Sequence, residues 1–115
     1  MTDIDYDGRV FCSVSNAAGG DVGSATRFHY HQTERFVWAT YAGGAVAFGT
    51  LLATVCDDGC LDMRYQHVTI AGERKAGRCR SMPDLLPDGR VRLHERWTWT
   101  EGGVGSGESV VEEVR

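Results

Sequence analysis

No apolar run in this sequence approaches the roughly 20 residues that a membrane-spanning helix requires, and no helical period extends over a long window. Proline is scarce, with two residues, Pro83 and Pro87. The first residues, Met1-Thr2-Asp3-Ile4-Asp5, are acidic and carry no apolar h-region, so no secretory signal is expected and the cytoplasm is the expected compartment. Its four cysteines are then expected to be thiols. A basic excess is missing as well. Twelve Lys and Arg stand against 16 Asp and Glu, a formal net charge of −4, which argues against a nucleic-acid partner. The sequence contains no GxSxG elbow, no phosphate-binding loop and no Gly-x-Gly-x-x-Gly after a strand.

What the sequence does have is turns. Seven signals recur along its 115 residues, at Ala18-Gly19-Gly20-Asp21, Thr33-Glu34-Arg35, Ala42-Gly43-Gly44, Asp57-Asp58-Gly59, Ala71-Gly72-Glu73, Pro87-Asp88-Gly89 and Glu101-Gly102-Gly103. Gly and Asp tolerate the positive-φ positions that tight hairpins need. Between the turns lie eight strand-like runs, expected over 8–16, 26–32, 36–41, 45–56, 60–68, 75–81, 90–100 and 107–114. Strands joined only by short turns pair with their neighbours antiparallel. The expected fold is therefore all-β, one domain, an eight-stranded antiparallel up-and-down barrel, because closure removes exposed sheet edges. A barrel of this size is filled by side chains or holds one small ligand.

Alternation sorts the side chains into faces. In the seventh run Val91, Leu93, Glu95, Trp97 and Trp99 oppose Arg90, Arg92, His94, Arg96 and Thr98, so the first set is expected inside. The same rule puts Leu61, Met63, Tyr65 and His67 inward, with Gly77, Cys79 and Ser81, and Phe28 and Tyr30. The third run is ambiguous between Val37, Ala39, Tyr41 and Phe36, Trp38, Thr40. Polar groups thus fall on apolar faces, and a buried carboxylate needs a partner or a proton. His67 and the tyrosines are candidate partners for Glu95. Small residues at 77, 79 and 81 leave space beside the tryptophans. Tyr30, Tyr41, Tyr65, His67, Cys79, Glu95, Trp97 and Trp99 are the candidate ligand-binding set.

Several other features carry a blander expectation. Cys56 and Cys60 flank a turn and could face each other across it, but a disulfide there is not required, and Cys12 and Cys79 read as core fillers. Arg74, Arg78, Arg80, Arg90, Arg92 and Arg96 read as a solvated sheet face. The glycine-rich segment 16–24 reads as a mobile connection or as a lid over a barrel mouth. Residues 82–86, between the two prolines, suit one helical turn or a cap over a barrel end. His29 and His31, in Gly23-x5-His29-x-His31-x2-Glu34, approach the first cupin motif, but the glutamate comes too soon and parity points both histidines outward. No metal and no cofactor is expected.

The runs Thr26-Arg27-Phe28-His29-Tyr30-His31-Gln32, Val37-Trp38-Ala39-Thr40-Tyr41, Phe48-Gly49-Thr50-Leu51, Arg64-Tyr65-Gln66-His67-Val68, Gly77-Arg78-Cys79-Arg80-Ser81 and Leu93-His94-Glu95-Arg96-Trp97 carry a resemblance over nearly the whole chain. It resembles a family of short bacterial proteins labelled "N-acetylglutamate synthase", whose architecture is similar to avidin-type and calycin-type barrels. Acetyltransferases carry an Arg/Gln-x-x-Gly-x-Gly/Ala loop opening a helix. This chain has neither, and acetyltransferase activity is not expected of it. No biotin-binding motif is present to carry over. The resemblance to such barrels implies interior binding of a small molecule, and the polar groups on apolar strand faces make a partly apolar one the expected ligand, against Trp97, Trp99 and Tyr41. The alternatives are a packed barrel acting as an interaction protein or a homo-oligomer such as a homodimer, with Phe36 or Trp38 marking the interface, and a cofactor-free acid–base enzyme using Glu95 with Tyr65 and His67.

Overall fold

A computed structural model describes residues 4–17 and 20–114. Ala18 and Gly19, which open the first turn signal, and Met1-Thr2-Asp3 lie outside the described residues. The strands are β1 (Val10–Asn16), β2 (Arg27–Thr33), β3 (Phe36–Gly43), β4 (Val46–Val55), β5 (Leu61–Thr69), β6 (Arg74–Leu85), β7 (Val91–Glu101) and β8 (Ser106–Glu113). Each pairs antiparallel with the next. β8 returns to β1, with Phe11 opposite Glu113 and Ser13 opposite Val111, and the barrel closes. This is the expected eight-stranded meander.

The turns are chemical rather than merely glycine-rich. At Asp58-Gly59-Cys60 and at Asp88-Gly89-Arg90 the aspartate Oδ1 accepts from the backbone N–H two residues on, at 3.0 and 3.1 Å. The glycine between takes φ of 87° and 88°. Asp supplies the local acceptor and Gly the left-handed backbone, so each pair fixes the hairpin register. Cys56 N–H donates to the Cys60 carbonyl at 2.8 Å across the first of these turns. The two residues do face each other, yet all four cysteines are free thiols.

Inward and outward sets follow the alternation. Val91, Leu93 and Trp97 are buried on β7, as are Leu61, Met63 and His67 on β5 and Phe28 and Tyr30 on β2. The ambiguity of β3 is resolved by register. Tyr30 lies opposite Ala39, which lies opposite Leu51. A tryptophan at that level would compete with Tyr30 and Leu51 for the lumen, whereas alanine fits. Val37, Ala39 and Tyr41 therefore point in, and Phe36 (58% exposed) and Trp38 (38%) point out.

Residues 82–86 make no helical turn. β6 continues through Pro83 to Leu85, paired with β7. Its pairing with β5 stops at Ser81. The extension has one unpaired edge, and there the missing proline N–H costs no ladder bond. The end of the barrel near this extension is plugged from within. Tyr6, Phe11, Tyr30, Leu61, Leu93 and Val37 are all at most 1% exposed. Tyr30 packs on Phe11 and Tyr6, with ring centroids 4.8 and 6.0 Å apart.

The outward arginines form ion pairs on the sheet surface. Arg80 meets Asp58 at 2.8 Å, Arg92 meets Glu112 at 2.7 Å and Arg96 meets Glu108 at 3.4 Å.

Candidate functional site

Four cross-strand rows of inward side chains build the interior. In the first, Tyr41 on β3 and His67 on β5 flank Gly49 on β4. A Cβ on Gly49 would strike the Tyr41 ring. The glycine lets that ring lie across the row, where Tyr41 Oη reaches His67 Nδ1 at 2.9 Å. The second row repeats the device. Tyr65 on β5 and Trp99 on β7 flank Gly77 on β6. A Cβ there would meet Tyr65 Oη and the Thr98 carbonyl. The two rings meet over the glycine in a T-shaped pair, 5.7 Å between centroids. The small residues expected to leave room beside the tryptophans instead receive the aromatic rings. In the third row Cys79 lies between Met63 and Trp97, with Gly107 beyond.

The fourth row holds the carboxyl group. Glu95 lies opposite Ser81 on one side and Ser109 on the other. Ser81 Oγ donates to Glu95 Oε2 at 3.1 Å, and Ser109 Oγ donates to Oε1 at 3.0 Å. These hydroxyls, rather than His67 or the tyrosines, are its hydrogen-bond partners. Burial raises its carboxyl pKa to about 7, against the pull of the two serine bonds. Glu95 borders the internal cavity, as do Tyr65 and Trp99, and all three are only partly buried. Burial likewise pushes the Tyr41, Tyr65 and Cys79 groups far above their ordinary values, with Glu95 adding to each. They are neutral at physiological pH, so Cys79 is no thiolate nucleophile.

A strap from the β1–β2 connection crosses this end of the barrel. Trp97 Nε1–H donates to Asn16 Oδ1 at 3.0 Å, and Asn16 Nδ2–H donates to the Val22 carbonyl at 3.1 Å. Val22 packs on the core. The Asp21 carboxylate accepts from His67 Nε2–H at 2.9 Å and from Lys75 at 3.1 Å. Burial alone would raise the Asp21 pKa, but those two bonds and the attraction of Lys75 and His67 outweigh it and hold the carboxyl below its ordinary value. Lys75, the sole lysine of the sequence, sits 5.3 Å from the Trp99 ring centroid. Under the strap the cavity has a volume of about 50 Å³, walled by Trp97, Trp99, Tyr41, Tyr65, Phe28 and Leu51, with Glu95 in its lining.

Seven of the eight residues singled out from the sequence thus line one space: Tyr41, Tyr65, His67, Cys79, Glu95, Trp97 and Trp99. Tyr30 does not. It belongs to the plug at the other end. His67 is turned to Asp21 and Tyr41 rather than to Glu95. His29 and His31 stand exposed on the outer face of β2, where His31 stacks on Trp38, 5.7 Å between ring centroids. No cluster of three metal-ligating side chains occurs among the described residues. Reading the strands one by one missed Asn16, Asp21, Lys75 and Ser109. Asp21 and His67 are 46 positions apart, and no local pattern joins them. Ser109 was accessible to parity, since it shares a face with Val111 on β8.

The site is thus a polar group set among aromatic rings inside a closed antiparallel meander, with a strap across one end. The family model described as "Avidin-like protein" matches residues 4–114. The chain belongs to the avidin-like family. No curated protein and no solved structure matches it.

Proposed function

We propose that the protein binds a small, partly apolar molecule inside the barrel, under the strap formed by Asn16, Asp21 and Val22. The observation that carries this reading is Glu95. Burying a carboxyl beside a cavity costs stability, and packing alone would favour a leucine there. Trp97, Trp99, Tyr41 and Tyr65 supply apolar walls, and Glu95 and Ser109 supply polar groups that orient a ligand. The cavity admits about four water-sized positions, so the occupant is compact unless the strap lifts.

The test is a fragment screen read by melting temperature and by tryptophan fluorescence. Compounds that stabilise the native protein and lose that effect in Cys79→Trp, which fills the lumen, support the proposal. A screen without one stabilising compound overturns it.

A second reading rests on the outer surface. Phe36, Trp38 and Leu52 (70% exposed) lie together on β3 and β4, with Trp38 directly opposite Leu52. Such a patch fits a contact between copies of the chain. Light scattering of the native protein and of Trp38→Asp decides it. Two monomeric samples end this reading and leave the first untouched.

A further inference from the structure

We propose that the interior is selective for a small protonated nitrogen base, a guanidinium-like or imidazolium-like cation whose N–H groups bond the Glu95 carboxylate while its charge lies against the aromatic walls. This rests on the interior-binding reading and gives it a ligand class.

Glu95 is a carboxyl group with no cation of its own. Among the described residues no Lys, Arg or His nitrogen lies within 4.0 Å of it. Arg92 and Arg96 on β7, and Arg78 and Arg80 on the neighbouring β6, occupy the opposite sheet face. Lys75 is engaged with Asp21 at the strap. The two serine hydroxyls fill two of the roughly four acceptor positions of a carboxylate. The remaining ones need donors, and a cation supplies both donors and the compensating charge. A neutral donor satisfies the bonds but leaves the charge uncompensated. An anion is repelled.

The walls point the same way. Aromatic faces attract a cation more strongly than a neutral guest of the same shape. Trp97 and Trp99 lie 5.6 Å apart, with Tyr65 5.7 Å from Trp99, all on the lining that Glu95 shares. Volume sets the size. A 50 Å³ cavity takes a guest of about four to six non-hydrogen atoms. The raised Glu95 pKa agrees, because it reports a carboxylate whose charge the protein leaves uncompensated.

The experiment uses three planar guests of one size that differ in charge: guanidinium, urea and nitrate. Each is titrated at low concentration into the 15N-labelled full chain, and the indole N–H signals of Trp97 and Trp99 are followed. Trp38, on the outer surface, is the internal control. Guanidinium is expected to shift the two interior signals saturably, leave Trp38 unmoved, and bind about tenfold or more tighter than urea. Nitrate is expected to do nothing. In Glu95→Gln, guanidinium affinity falls to that of urea. The variant is expected to fold, since burial raises the carboxyl pKa and so already favours a neutral residue 95.

Equal binding of guanidinium and urea, or an unchanged affinity in Glu95→Gln, overturns the cation assignment and leaves interior binding standing. So does the case in which only neutral fragments such as pyrrole move the interior signals. If neither the charged series nor the neutral fragments move Trp97 and Trp99, both readings fall.

Discussion

Replacing Glu95 by Gln changes the slope of stability against pH, and the size of that change follows from the site. The carboxyl titrates near 7 in the folded chain and near its ordinary value of 4.5 once unfolded. Below about pH 4.5 both states are protonated and the group contributes no pH dependence. Between 4.5 and 7 the folded state holds a proton that the unfolded state has lost, so stability falls as pH rises. Above 7 both are ionised and the loss levels off at about 3 kcal/mol, from roughly 1.4 kcal/mol per pKa unit. Gln cannot ionise and escapes this loss. The variant should match the native protein within about 1 kcal/mol at pH 4.5 and exceed it by about 3 kcal/mol at pH 8, on the order of 10 °C in melting temperature. Urea unfolding followed by tryptophan fluorescence at five pH values measures it. The difference between the two proteins cancels other titrating groups, including Asp21. Two stability curves that stay parallel from pH 4.5 to 8 would refute the burial of this carboxyl.

Other outcomes follow from single contacts. Tyr6 Oη is buried and has no hydrogen-bond partner among the described residues. Tyr6→Phe keeps the plug and removes a desolvated hydroxyl, so it should raise stability by about 1 kcal/mol, seen as a higher denaturant midpoint at unchanged slope. Gly77→Ala drives a Cβ into Tyr65 Oη and the Thr98 carbonyl, and should cost about 1–3 kcal/mol; a wild-type melting curve would discount the Tyr65–Trp99 row. Asp21→Ala unpins the strap from His67 and Lys75. It should cost about 1–3 kcal/mol and speed hydrogen exchange of the Trp97 indole N–H. The Asp21 contribution is present above about pH 4 and is lost as pH falls through its depressed folded pKa, so native and Asp21→Ala stabilities should converge in acid.

The sequence by itself determined the strand count, the turns and the meander, because each is local. Asp-Gly pairs between two strand-like runs, as at 58–59 and 88–89, favour a hairpin, and a period of two sorts faces within a single strand. Parity alone placed Glu95 with Trp97 and Trp99 inside. The tertiary structure alone decided what faces what. The β3 face hung on the register of Tyr30 against Ala39. The partners of Glu95 hung on which residues of β6 and β8 fell opposite position 95. Whether Gly77 and Cys79 left a hole or seated a ring depended on side chains from two neighbouring strands. Pro83 stayed in a strand because β5 ends beside it. The strap that joins Asp21 to His67 and Lys75 links residues about 50 positions apart, and such a contact comes into being only when the barrel closes and its rim brings them together.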